Sequence, residues 1–271
     1  MSWWGKVIGG AFGFVLVGPL GAVLGAAIGH SFDKGLKGLE DITGIGADQE
    51  RIQAAFFTAT FSIMGQVAKA DGRVSETELQ VARQIMAKMQ LSEDQKKAAI
   101  NLFNQGKAPD FDYAPIIEQF RHECRRRTNL LRMFMEIQLA TALADNELHP
   151  EEQRLLLNIA EMLGFRRRQF EQILAMVAAQ KRFTDYGGFA SSREHEHEAI
   201  EQAYLILGMQ AKSSDAEIKK AYRKLMSQHH PDKLVSKGLP EEMMKIATEK
   251  TREIKEAYEL IKRHRATTSG G

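Results

Sequence analysis

From Val7 to Ile28 the chain runs 22 residues without a charged side chain, between Lys6 on one side and His30, Asp33 and Lys34 on the other. A helix of that length reaches about 33 Å at its usual rise per residue, enough for a bilayer core. Trp3 and Trp4 precede it where an interfacial aromatic belt belongs. A cleaved signal peptide fits less well, because its apolar region is about 7–15 residues long, behind a positive n-region and before an A-x-A-like site. Here the run is longer, Lys6 is the single basic side chain before it, and the small residues after Leu24 make a weak cleavage site. The run reads as a retained membrane anchor. Gly18-Pro19 in its middle would break a soluble helix, but in lipid the freed backbone groups find other partners.

Two further properties follow from this segment. Lys34 and Lys37 after the span outnumber Lys6 before it, so the positive-inside count predicts an outer N-terminus and a cytoplasmic C-terminus. Gly5, Gly9, Gly13, Gly21, Gly25 and Gly29 fall on one four-residue series, broken at Val17. Such a row winds around a helix as a groove and lets two backbones approach, which predicts a homodimer through the anchor.

Charge and cysteine usage narrow the classes of function. With 37 Lys+Arg against 35 Asp+Glu the net charge is +2, too little basic excess for general nucleic-acid binding. The single Cys124 excludes an intramolecular disulfide, a CxxC pair and a cysteine-built zinc module, and favours a reducing compartment. Residues 203–271 nevertheless carry 14 basic and 9 acidic groups, so this end asks for an acidic partner.

After a connector holding Gly35, Gly38, Gly44 and Gly46, helical periodicity runs to about Gln180. Ile52, Phe56, Ala59, Ile63 and Val67 form one apolar stripe and Phe57, Phe61 and Met64 another, which predicts a helix central to a bundle. Ser75–Glu78 and Ser92–Gln95 read as capping boxes, and Pro150 sits at a first helical position ahead of Glu151 and Glu152. Further helices are expected over Asn129–Ala144 and Arg167–Gln180. No stretch reads as a strand. At an ungapped offset of 74 the halves align: Ala68–Gly72 over Ala142–Asn146, Glu78 over Glu152, Ile85 over Ile159, Gln95 over Gln169. One repeat of that size predicts a duplicated helical unit.

The arrangement, with an A-D-G/N turn and a following glutamate in each half, resembles the TerB (tellurite-resistance B-like) domain over about residues 50–180. In that family paired acidic residues are proposed to bind metal, which the resemblance carries to Asp71, Glu78, Asp145 and Glu152. The residues themselves favour a plainer role, since Glu78 and Glu152 occupy helix N3 positions and Asp71 and Asp145 suit turns.

The C-terminal part carries the sharpest pattern. Ser214-Asp215-Ala216-Glu217 is a capping box opening a helix to about Gln228. Ile218, Ala221, Tyr222 and Leu225 form its apolar face, while Lys219, Lys220, Arg223 and Lys224 share the other side. Then comes His229-His230-Pro231-Asp232-Lys233, where proline forces a turn. A second long helix is expected from Pro240, with Ala247, Ile254, Ala257, Tyr258 and Ile261 as its apolar stripe, and a short helix at about Ala199–Leu207 precedes the pair. His195 and His197 read as a solvated linker or helix start rather than as metal ligands. His230 and Asp232 have no nucleophile, ligand set or phosphate loop beside them, so an enzyme is not expected.

The run A-Y-R-K-L (Ala221–Leu225), the His-Pro-Asp tip and the helix ending I-K-E-A-Y-E-L-I (Ile254–Ile261) together resemble a J domain. That is the module by which J-protein co-chaperones act on DnaK-type chaperones. The resemblance implies that His230, Pro231 and Asp232 stimulate the partner's ATPase, and that Lys219, Lys220, Arg223 and Lys224 dock on its acidic surface. With the anchor and the TerB-like middle, the whole chain is similar to membrane-anchored bacterial J-proteins, which implies the bacterial inner membrane and no cofactor. It departs from other J-proteins in lacking a Gly/Phe-rich segment, a zinc module, a β-rich client region and a short fourth J-domain helix.

The expected architecture is all-α: an anchor (1–32), a connector (33–48), a TerB-like bundle (49–181), a linker (182–198) and a J-domain hairpin (199–271). The expected role is recruitment and activation of a DnaK-type chaperone at the membrane. The competing expectation is a membrane-anchored stress or metal sensor acting through residues 50–180.

Overall fold

The computed structural model describes residues 18–28, 45–70, 91–144, 148–185 and 193–269, and isolated positions between 80 and 89. The described residues form helices and turns, with no strand. In chain order the α-helices are α1 (Pro19–Ile28), α2 (Ile45–Val67), α3 (Glu93–Gly106), α4 (Ala114–Glu123), α5 (Thr128–Ala142), α6 (Pro150–Met162) and α7 (Arg167–Asp185). Then follow α8 (Arg193–Leu207), α9 (Asp215–His229), α10 (Pro231–Val235), a 3-10 turn (Glu241–Met243) and α11 (Met244–Ser269).

Both stripes of α2 are buried, as a central helix requires: Phe56, Phe57, Phe61, Ile63 and Met64 are fully enclosed. Phe56 meets Phe120 of α4 and Phe134 of α5 edge-on, with centroids 5.8 and 6.4 Å apart. Between the stripes, the Ser62 hydroxyl donates to the Thr58 carbonyl at 2.8 Å and Gln138 donates to the Thr60 carbonyl at 3.0 Å. Each of these two donors is thereby paired inside the core rather than left unsatisfied.

Local signals set the helix starts. Ser92 and Gln95 form a reciprocal capping box on α3, and Pro150 opens α6 with the Glu152 carboxylate accepting from the His149 N–H at 3.0 Å. The internal repeat is visible in these caps, since Gln95 and Gln169 each return a side-chain oxygen to the backbone N–H three residues earlier, at 2.9 and 2.8 Å. Helix α4 is absent from the helices expected from sequence. It begins with Pro115 in its first turn and buries Ile116, Ile117 and Phe120.

The described part of the uncharged N-terminal run is Gly18 and α1. The ten residues of α1 bury Leu20, Leu24 and Ala27. The Leu20 N–H donates to Gln119 at 2.8 Å, and Asn101 donates to the Ala27 carbonyl at 2.7 Å. Among the described residues no helix is long and apolar enough to cross a membrane. Gly21 and Gly25 lie in α1, whereas Gly5, Gly9, Gly13 and Gly29 lie outside the described residues.

Helices α8 to α11 form the second unit. Tyr222 of α9 and Tyr258 of α11 stack with centroids 4.2 Å apart and planes within 12°, joining the two long helices. Arg265, near the end of α11, donates to the Tyr204 hydroxyl at 2.8 Å and to the Ala211 and Ser213 carbonyls, both at 2.7 Å. It also pairs with Asp215 at 2.6 Å, so one side chain closes the α8–α9 turn against α11. Helix α8 starts at Arg193, six residues before the expected Ala199, and places His197 on an exposed surface near Glu201 at 3.7 Å. Pro240 is likewise not the first residue of the last long helix. It precedes the 3-10 turn, and α11 proper begins at Met244.

Candidate functional site

The site is built on α9 and the tip that follows it. The Ser214 side chain accepts from the Glu217 N–H at 3.3 Å, and the Glu217 carboxylate accepts from the Ser214 N–H at 2.8 Å. The Ser214 N–H, together with the Ser214 hydroxyl, which also donates to the carboxylate at 2.8 Å, holds the Glu217 carboxyl below its ordinary value. The cap fixes the helix register, and register decides the faces. Ile218 and Leu225 are buried while Lys219, Lys220, Arg223 and Lys224 all stand in solvent. Four cations thus share one open side of a rigid helix.

Helix α9 ends at His229, because His230 adopts an extended backbone (φ −58°, ψ 123°) ahead of the proline. Where a turn was expected, Pro231 takes the first position of the short helix α10, with Asp232 in its first turn. His230 and Asp232 are 47 and 86% exposed, and the His230 Nδ1 lies 3.9 Å from the Asp232 Oδ2. Lys233 donates to the Ser227 hydroxyl at 2.7 Å, tying the tip back to α9. The structure therefore gathers His230, Pro231 and Asp232 on one open corner beside the cationic face. This geometry suits recognition of an acidic or arginine-bearing surface by charge-assisted bonds.

The residue just before the tip behaves oppositely. His229 is 2% exposed, with its Nε2 2.9 and 3.0 Å from the two carboxylate oxygens of Glu136 on α5. Glu136 is fully buried and also accepts from Arg132 at 2.9 Å. Burial would raise its carboxyl, yet the charges of His229, Lys250 and Arg132 hold it at about 2. Neither His229 nor Glu136 was singled out from sequence as a contact, because the pair is 93 residues apart.

Of the expected acidic set, Asp71, Glu78 and Asp145 lie outside the described residues. Glu152 is buried and caps α6. Among the described residues no group of three or more His, Cys, Asp or Glu could hold a metal ion. Burial pushes the Cys124 thiol up to about 12, so it is protonated and inert at neutral pH.

Three families match successive parts of the chain. The DjlA transmembrane domain matches residues 1–39, the tellurite resistance protein TerB matches 57–175, and the DnaJ domain matches 202–267. The co-chaperone protein DjlA of Coxiella burnetii is 43% identical over 98% of this chain and 99% of its own length. The chain belongs to the DjlA co-chaperone family. DjlA of Yersinia pestis and of Escherichia coli K12 are each 42% identical over 98% of this chain and 99% of their own. No solved structure matches.

In DjlA terms the site lies in the DnaJ domain, which spans α8 to α11, and the bundle α2 to α7 is the TerB part. The expected all-α plan with an N-terminal transmembrane domain, a TerB-like bundle and a J domain is the plan of this family. The chain is a J-domain co-chaperone.

Proposed function

We propose that this protein recruits a DnaK-type chaperone to the bacterial inner membrane and stimulates its ATPase through His230, Pro231 and Asp232. The observation that carries the reading is the shared exposure of the tip and of Lys219, Lys220, Arg223 and Lys224 on one side of the DnaJ domain. The cations steer an acidic partner and set its register, and Asp232 accepts bonds from a partner arginine. The role is regulatory recruitment rather than general client holding. The chain is oriented N-out and C-in, as the lysines flanking the anchor favour, and it dimerises through the glycine row. Two J domains per complex raise the local concentration of recruited chaperone.

The testing experiment is steady-state ATPase turnover of a purified DnaK-type chaperone titrated with the full chain in detergent or nanodiscs. Saturable stimulation supports the reading, and a flat titration with wild type overturns it.

A further inference from the structure

The His229–Glu136 pair joins the two units of the protein directly beneath the functional tip. On the DnaJ side, His229 Nδ1 lies 3.0 Å from the Leu225 carbonyl, and Nε2 faces the Glu136 carboxylate. A carbonyl oxygen and an ionised carboxylate only accept, so a ring that donates from both nitrogens satisfies both partners. Besides His229, two cations act on the carboxylate, Arg132 of α5 and Lys250 of α11. Arg132 lies one turn back on α5 and also donates to the Met176 sulfur of α7 at 3.4 Å, and Lys250 of α11 donates to Gln180 of α7.

The contacts continue around the tip. Gln49 of α2 donates to the Val235 carbonyl at the end of α10 at 3.3 Å, and Gln95 of α3 donates to Glu242. Leu234, Leu239 and Met243 are buried, whereas His230, Asp232 and the four cations of α9 stay open. The docked arrangement presents the tip and does not cover it.

We propose that Glu136 of the TerB-like bundle is a positioning residue for the J-domain tip. By holding His229 it fixes α9 and α10 against α5, so that His230 and Asp232 meet the chaperone at one set attitude. This rests on the co-chaperone reading above. Removing one partner of a buried pair leaves an uncompensated charge, whereas replacing both by apolar residues is tolerated. That asymmetry separates a latch from a residue that merely fills space.

The test uses the full-length protein with three readouts. Imidazole proton–nitrogen NMR of wild type should show both His229 ring nitrogens protonated, and Glu136→Gln should lose the Nε2 proton. Hydrogen exchange in α5 and α9, measured without any chaperone, should accelerate in Glu136→Gln and return toward wild type in the double variant Glu136→Leu/His229→Leu. Half-maximal ATPase stimulation should need about tenfold more Glu136→Gln protein at an unchanged plateau, with recovery in the double variant. A wild-type His229 carrying one ring proton, or a Glu136→Gln protein with wild-type exchange and potency, overturns the proposal. Normal NMR and exchange results with no stimulation by wild type would instead overturn the co-chaperone reading, and the positioning role with it.

Discussion

Gly238 closes the turn after α10 directly against Ile52 of α2, so closely that a Cβ at Gly238 would lie 2.7 Å from the Ile52 Cγ2. Its φ of +101° is also one that side-chain-bearing residues rarely adopt. Backbone conformation and interdomain packing therefore both select glycine here, at a position where the TerB-like bundle touches the J domain.

Gly238→Ala should destabilise the protein by about 1–3 kcal/mol, from left-handed strain together with overpacking. Thermal unfolding of the full chain checks the loss. Hydrogen exchange should locate the loosening at the boundary between α2 and α10. An unchanged midpoint would mean that the two units do not meet there.

Acid should weaken the interdomain contact through Glu136. Its carboxyl is lowered relative to the ordinary value of 4.5, to about 2, because three neighbouring cations outweigh the effect of burial. A lowered carboxyl contributes its full stability above the ordinary value and loses it as pH falls toward the folded value. Unfolding midpoints should therefore drop between about pH 4.5 and 2 more steeply in wild type than in Glu136→Gln. Parallel acid limbs for the two proteins would contradict the ion pair.

If the cationic face steers the partner as proposed, charge reversal at the exposed Arg223 and Lys224 should weaken chaperone binding and flatten its dependence on salt. Binding measured across a salt series decides this. A wild-type slope would reduce the cationic face to an ordinary solvated surface.

The anchor gives a separate prediction. Gly21→Leu with Gly25→Leu should preserve membrane insertion, because leucine is more apolar, yet separate paired helices that rely on close backbone approach. Crosslinking in membranes should lose the dimer band, and an undiminished band would rule out the glycine groove as the interface.

What sequence disclosed was local chemistry. The boxes Ser92–Gln95 and Ser214–Glu217 and the first-position Pro150 are satisfied within three or four residues, so short patterns identify them. The alternation of Ile218 and Leu225 with four cations sorted the faces of α9 for the same reason. Pro231 was legible as a helix stop, but its second capacity, opening α10, depends on Leu234 finding a buried place. His229 was the least legible. A histidine before His-Pro-Asp is ordinary in the chain, and its meaning comes from Glu136, which only tertiary packing brings within 3.0 Å.

Whether the exposed tip acts on a chaperone is tested most directly by His230→Gln. The side chain is 47% exposed, so its replacement should shift stability by no more than about 0.5 kcal/mol and leave helicity intact. With folding verified by circular dichroism, ATPase turnover of a DnaK-type chaperone should rise with wild-type protein and stay at its basal rate with His230→Gln. Equal stimulation by the two proteins would contradict the account.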